Sequence, residues 1–279
     1  MISADMRQKR ERARAKVLRA IEEHGGTTLL STGISGDDAR IAKAVVDAGV
    51  KLLEPNHPAV TLARGYRGVT NMHAAEKIRH EVPMEDMVTV TRGVRNVVGD
   101  EIFITVGIPG GFHELVPMEI PDQAFLDLSR AGADGLHTHK SSLDDLEELV
   151  KKAHKYGLLV DAYVGHPDDL HTFGIPARTP EEVAEVAKAM EGIGVDFIGL
   201  MTGMSYEGAQ AGEIHPVVKE RLQALVESVK VPTLAEGGIN LENVKAFADT
   251  GVHILVVGTA IDDMLRKAAQ DVVRQFIKR

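Results

Sequence analysis

The chain contains no cysteine, which excludes a disulfide framework, a thiol nucleophile and any zinc or iron–sulfur site built on thiolates. It also lacks a long hydrophobic run: no stretch approaches the about 18 consecutive apolar residues that a membrane-spanning helix requires. The opening Met1-Ile2-Ser3-Ala4-Asp5-Met6-Arg7 has no apolar block of the kind that begins a signal peptide. A surplus of positive charge is missing too. The net charge of −9 argues against a broad surface for nucleic acid or anionic membrane, while leaving room for a local basic pocket for a phosphorylated metabolite. No low-complexity tract interrupts a composition of 44% hydrophobic and 26% charged residues. These absences predict a cytoplasmic protein whose partner is a small molecule, with neither nucleic acid nor membrane as partner.

What is present is a repeated phrase: a helix tail, a glycine, then an apolar run. It occurs at Ala48-Gly49-Val50, Ala131-Gly132-Ala133, Ile193-Gly194-Val195 and Thr250-Gly251-Val252, with a looser copy at Tyr156-Gly157-Leu158. Glycine suits the left-handed position just past a helix end, and a short loop then delivers the chain into a buried parallel strand. Counting such runs predicts eight strands, near Thr28–Thr32, Leu52–Pro55, Ile102–Val106, Gly135–Thr138, Leu158–Tyr163, Phe197–Thr202, Thr233–Glu236 and Ile254–Val257. Helix starts such as Ser141-Ser142-Leu143-Asp144, Thr179-Pro180-Glu181-Glu182 and His215-Pro216-Val217 lie between them.

The fold class expected is therefore α/β, a single (β/α)8 TIM barrel over residues 1–279, in keeping with the about 250 residues such a barrel needs. Residues 1–25 form an N-terminal helical extension, in which the segment Arg7 to Arg19 reads as an amphipathic helix closing the barrel bottom. Two connections are long: Asn56 to Gly99, between the second and third strands, holds one or two helices and a loop, and Ile108 to Pro121 is a glycine- and proline-rich arm. Either suits a lid, a dimer contact or a cap on the barrel mouth.

Function is most legible in the last two strands. Leu234-Ala235-Glu236-Gly237-Gly238-Ile239-Asn240 and Leu255-Val256-Val257-Gly258-Thr259-Ala260-Ile261 each join a buried strand to a glycine-opened turn. Gly237, Gly238, Gly258 and Thr259, with Gly203 at the end of the sixth strand, leave little side chain between backbone and ligand. Their amides can converge on one anion. In such barrels the loops after strands 7 and 8 are where phosphate usually sits.

The remaining strand ends carry Glu54-Pro55-Asn56-His57, His137-Thr138-His139-Lys140 and Asp161-Ala162-Tyr163-Val164-Gly165-His166. A carboxylate within an apolar run is costly without a partner, so Glu54 and Glu236 are candidates for proton transfer or metal ligation; a buried ion pair with Lys140 is the structural alternative. Period-two alternation points His137 and His139 the same way. Together with Lys140 and Asp161 they complete the catalytic candidates. Glu54, His137, His139, Asp161 and His166 are the candidates for a divalent metal ion, and no nucleotide or flavin cofactor is implied. Lys140 suits an electrophile, a phosphate partner or a Schiff base. His166, His171 and His215 fall in loops, and Met201 and Met204 are expected in the pocket wall.

The Glu-Gly-Gly-Ile-Asn segment and its Val-Val-Gly-Thr-Ala-Ile partner resemble the ribulose-phosphate-binding barrel superfamily over Val231 to Ile261. That resemblance implies that Gly237, Gly238, Gly258 and Thr259 bind substrate phosphate. The chain departs from the superfamily's decarboxylases and hexulose-phosphate synthases, whose Asp-x-Lys-x-x-Asp signature is missing from Thr105-Val106-Gly107-Ile108. It departs from the histidine-pathway isomerases as well, with Ser31-Thr32-Gly33 where they carry an aspartate. The metal-ligand order of the pentose-phosphate epimerases is not reproduced either.

Three readings follow. The first is an isomerase or epimerase acting on a phosphorylated sugar or sugar acid through an enediolate, with Glu54 or Glu236 as base and His137, His139 and Lys140 at the developing oxyanion. The second is a lyase of the aldolase or decarboxylase class, and the third a non-catalytic sensor of a phosphorylated ligand. Barrels of this kind often pair through their outer helices, which makes a homo-oligomer the expected assembly.

Overall fold

The computed structural model describes residues 4–108, 119–168, 173–203 and 213–278, the side chain of His73 excepted. Eight parallel strands form the core sheet: β1 (Thr28–Thr32), β2 (Leu52–Glu54), β3 (Phe103–Gly107), β4 (Gly135–Thr138), β5 (Leu159–Gly165), β6 (Phe197–Met201), β7 (Thr233–Glu236) and β8 (Ile254–Val257). Neighbours in sequence pair in space, β1 pairs with β8, and β4 pairs with β5, so the sheet closes into a barrel. Each strand lies within a residue or two of its sequence-predicted bounds. A two-residue ladder, Ile175–Pro176, adds to the end of β5 outside the barrel.

Among the described residues, twelve helices surround the strands. The first, α1 (Ala4–Glu23), precedes β1 and is built from strong helix formers. Ala13, Val17 and Ala20, at helical spacing, bury completely against Leu30, Leu52, Phe103, Leu159, Phe197 and Ile254, so α1 plugs the N-terminal end of the barrel as its periodicity predicts. Each such Leu, Phe or Ile removed from water contributes about 1.5–3 kcal/mol. Short helices α2 (Ile34–Asp37) and α3 (Ala39–Asp47) link β1 to β2. The long connection after β2 holds three helices rather than one or two: α4 (His57–Ala63), α5 (Met72–Ile78) and α6 (Met84–Val98), with a 3-10 turn at Arg79–Glu81.

The outer ring continues with α7 (Asp122–Ala131), α8 (Leu143–Lys155), α9 (Pro180–Gly192), α10 (Pro216–Ser228), α11 (Val244–Ala248) and α12 (Thr259–Ile277). Their inward residues pack on the outward side chains of the strands, Val106, Leu136, Val160 and Ile198 among them. Thr179 caps α9 in a full capping box with Glu182, and Ser142 caps α8 by accepting from Asp145 N, as the start signals predict. Residues 109–118 of the arm expected at Ile108 to Pro121, together with His171 and Met204, lie outside the described residues. No described helix is long and apolar enough to cross a membrane.

Candidate functional site

Register brings the strand-end residues together. His137 on β4 pairs across to Asp161 on β5, Thr32 on β1 to Glu54 on β2, and Met201 on β6 to Glu236 on β7. Because side chains alternate along a strand, His137 and His139 both turn inward, as do Asp161 and Tyr163. Inside the barrel His137 Nδ1 lies 2.6 Å from Asp161 Oδ1, and Thr105 Oγ1 donates to Asp161 Oδ2 at 2.6 Å. His137 Nε2 and His139 Nε2 are 3.2 Å apart, and each is 3.5 Å from Glu236 Oε2. Glu54 Oε1 stands 3.9 Å from His137 Nε2.

Tyr163 completes the cluster. Its ring packs against both imidazoles, with centroids 4.9 and 4.8 Å away, and Phe173 closes the far side of His139 at 5.1 Å. Room for that ring exists because residue 199 is glycine: a Cβ there would come within 2.2 Å of the Tyr163 ring. Tyr163 shares the inward parity of Asp161, and that alternation is the signal by which sequence reasoning could have nominated it.

Burial dominates the electrostatics. It pushes the Glu54 carboxyl up to about 8, and neither Glu54 oxygen makes a hydrogen bond among the described residues. Burial also lowers His139 to about 4. For His137 burial opposes the charge, but the carboxylates of Glu54, Asp161 and Glu236 outweigh it and raise the imidazole to about 10. Glu236 shows the converse balance: burial is overcome by His137 and His139, which hold its carboxyl below the usual range. A largely neutral pair, Glu54 and His139, thus faces an ionised one, Glu236 and His137.

Glu236 connects this cluster to open space. Its side chain is 18% exposed and lines a cavity of about 320 Å³ that also holds Thr32, Asn56, Gly237, Gly238, Gly258 and Thr259. Gly237 and Gly238 take φ of 106° and 72°, the left-handed region that favours glycine. Thr202 N and Oγ1 donate to the Glu236 carbonyl, its Oγ1 also reaches the Gly237 carbonyl, and Asn243 Nδ2 donates to that of Gly238. These contacts engage the turn's carbonyls. Among the described residues, the amides of Gly237, Gly238 and Gly258 find no acceptor, and α12 begins at Gly258 with no side-chain cap. Free amides and a helix N-terminus thus meet at one cavity, the arrangement that binds phosphate.

Several sequence candidates land elsewhere. Gly203 does not line the cavity: a Cβ there would approach the Gly237 carbonyl carbon at 2.3 Å, so its glycine lets two turns pack back to back. Lys140 lies on a separate outer groove with Glu119, Phe125, Asp145, Glu148 and Lys152, because it follows the inward His139 by one residue. His166 lies in the loop after β5, where its Nδ1 accepts from Asp168 N, and His215 caps α10 by accepting from Val217 N. Of the metal candidates, His137 and His139 form a compact ligand group with Glu236, which its place in an apolar run had offered for proton transfer or metal ligation. Glu54, Asp161 and His166 fall outside that group. Sequence reasoning also missed Asp262, which lines the cavity and whose Oδ1 accepts from Ile34 N at 3.1 Å. Met72, from the long connection after β2, adds to the cavity wall.

Comparison with known proteins bears on this geometry. The TMP-TENI family, described as thiamine monophosphate synthase, matches residues 171–261, the stretch that carries both glycine turns. The thiamine-phosphate synthase of Ruminiclostridium cellulolyticum is 27% identical over 166 residues, 59% of this chain and 69% of that protein. The ribulose-phosphate 3-epimerase of Schizosaccharomyces pombe is 29% identical over 154 residues, 54% of this chain and 59% of that protein. These matches and the closed eight-stranded barrel fit the ribulose-phosphate-binding barrel superfamily. Among solved structures, the tryptophan synthase alpha-subunit of Pyrococcus furiosus superposes with a TM-score of 0.62 at 12% identity, covering 87% of this chain and 91% of that one, which shows the fold alone. The chain thus shares the TIM-barrel fold, and the relatives it matches are enzymes. The aligned parts span about 60 to 70% of these two relatives' own lengths.

Proposed function

We propose that this enzyme acts on a phosphorylated sugar or sugar acid and moves a proton at the carbon beside a carbonyl, as an isomerase or epimerase working through an enediolate. One observation carries the reading: Glu236, an ionised carboxylate held by two imidazoles, lines the same cavity as the unbonded amides of Gly237, Gly238 and Gly258. A substrate anchored by its phosphate at those amides presents its carbon skeleton to Glu236 and the cluster behind it. Glu54, with a carboxyl raised to about 8, is poised to exchange a proton near neutral pH, and the imidazolium of His137 offsets negative charge developing on an oxygen. Asp161 and Thr105 act by holding His137 in place.

A Schiff-base lyase centred on Lys140 has less support, since that amine lies on a different groove. A thiamine-phosphate synthase is the second reading, favoured by the match over residues 171–261. The purified protein, incubated in deuterium oxide with ribulose phosphate, should wash label into the carbon beside the carbonyl; stabilisation by thiamine phosphate without such exchange would replace the first reading with the second. Stabilisation by phosphate esters with no turnover of either kind would leave a sensor. Saturation at 100 times the dissociation constant adds about 2.7 kcal/mol, enough to read as a thermal shift. The same reading takes a homo-oligomer as the working unit. Its support is α12, which buries no residue and exposes Met264, Val272, Val273, Phe276 and Ile277. Light scattering on the intact chain tests it.

A further inference from the structure

The spacing inside the cluster is tighter than proton transfer alone requires. Two imidazole nitrogens at 3.2 Å, each 3.5 Å from the same carboxylate oxygen, make a nearly equilateral triangle of ligand-capable atoms. For a tetrahedral ion with bonds of about 2.0–2.2 Å to nitrogen and oxygen, neighbouring ligand atoms must stand about 3.3–3.6 Å apart. The triangle matches that requirement on all three edges to within about 0.1 Å.

We propose that His137 Nε2, His139 Nε2 and Glu236 Oε2 bind one divalent transition-metal ion, zinc being the class this two-imidazole, one-carboxylate set fits best, with its fourth position turned to the substrate cavity. Three further observations support the assignment. Asp161, itself fixed by Thr105, sits 2.6 Å from Nδ1 of His137 and leaves Nε2 as the coordinating nitrogen; a carboxylate behind a ligating histidine is the usual second layer of a metal site. Tyr163 and Phe173 wall the imidazoles in with aromatic surface, which fixes ring orientation. Glu236 alone of the three ligands reaches the cavity, so three protein ligands and one open position result, the catalytic rather than the structural pattern. Glu54, fully buried and making no hydrogen bond among the described residues, faces the same nitrogen of His137 at 3.9 Å and would lie beside the ion.

This inference deepens the proton-transfer reading and rests on it only for its purpose: the ion would replace the proton on His137 Nε2 and, in place of the imidazolium, polarise the carbonyl oxygen of the phosphorylated substrate. Its test needs no substrate. The intact protein, stripped with a chelator and titrated with cobalt(II), should bind one ion per chain with the intense visible absorption of a four- or five-coordinate site. Adding zinc should abolish that absorption. His139→Ala and Glu236→Gln should each remove it, while Asp161→Asn should keep the stoichiometry and weaken binding by 10- to 100-fold. Circular dichroism checks that each variant is folded. If His139→Ala does not fold, Glu236→Gln decides alone. Absence of the absorption in the wild-type protein, or its persistence in folded His139→Ala or Glu236→Gln, overturns the site. Deuterium wash-in without a cobalt signature would overturn the ion and leave the proton-transfer reading standing; a cobalt signature without wash-in would do the reverse.

Discussion

At the N-terminal end of the barrel, two buried aspartates are saturated with partners. Asp134 accepts from Lys16 at 2.9 Å, from Arg95 at 2.7 Å and from the amide of Ile104 at 3.0 Å. Asp196 accepts from Arg14 at 2.5 Å and from the amide of Val160 at 3.0 Å, with His154 at 2.8 Å. Further toward the C-terminal end, Glu54 on β2, Asp161 on β5 and Glu236 on β7 crowd around two imidazoles, and among the described residues both oxygens of Glu54 are without a hydrogen bond. The fold thus has cations and amides enough to satisfy buried carboxylates, and supplies them at the bottom. Leaving them short at the top is a property of the site, where carboxylates and imidazoles must be able to change proton or ligand. In barrels of this kind the bottom serves stability and the top serves chemistry.

The comparison is tested most severely at Glu236. Glu236→Gln keeps the shape and the glycine turns, so phosphate esters should still stabilise the protein, while deuterium wash-in should fall by about 10²–10⁴-fold, a loss of roughly 3–5 kcal/mol of transition-state stabilisation. Wash-in rates and ligand thermal shifts measured side by side check it; an undiminished rate would mean the top cluster is only structural. At the other end, Asp134→Ala strands Lys16 and Arg95 and should cost about 3–5 kcal/mol in urea unfolding. Glu54→Gln, which replaces a carboxyl already disposed to be neutral, should change stability by less than about 1 kcal/mol. Equal costs for the two substitutions would erase the distinction between the ends.

Between the ends lies Tyr163, and Gly199 sets its position. Gly199→Ala forces the ring off the two imidazoles and should destabilise by about 1–3 kcal/mol, as overpacking does. Cobalt affinity measured on the same variant shows whether the ring orients the histidines, in which case it drops together with stability.

The architecture was legible because the glycine-to-strand phrase recurs, four times closely and once loosely, and eight strand-like runs leave closure as the economical outcome. Glu54, His137, His139, Asp161 and Glu236 were legible because polar residues ending apolar strands have one place to gather. The rest depended on relations between strands, which a linear pattern does not carry. Tyr163 was hidden because its partner is an absent side chain at Gly199 on another strand. Gly203 was read as a ligand contact, yet its reason is the close approach of the Gly237–Gly238 turn. Lys140 was drawn to the site by nearness in sequence to His139, although one step along a strand reverses direction. Asp262 comes to the cavity from the first turn of α12 and caps an amide of α2, 228 residues away in sequence.

Asp262 also gives the gentlest test of the two-ended design, since it places a carboxyl at the rim of an anion seat. Burial raises that carboxyl to about 6. The folded state therefore holds its proton between the ordinary carboxylate range and pH 6, and whatever stability this contributes is lost as pH rises through 6. Ligand affinity follows the same direction: below pH 6 the rim is neutral, and above it a negative charge faces the bound anion, weakening binding by about 1 kcal/mol, or about fivefold. Phosphate esters change their own charge in this range, so a sulfate ester, charged throughout, is the cleaner probe. Its affinity should decline between pH 5 and 7 in the wild-type protein. In Asp262→Asn, which still accepts from Ile34 N through its side-chain oxygen, the decline should vanish and the affinity at pH 7 should rise to the wild-type value at pH 5. A decline that survives the substitution would move the titrating group away from the rim and into the imidazole cluster, drawing the chemistry of the top end closer to the phosphate than the distances given above suggest.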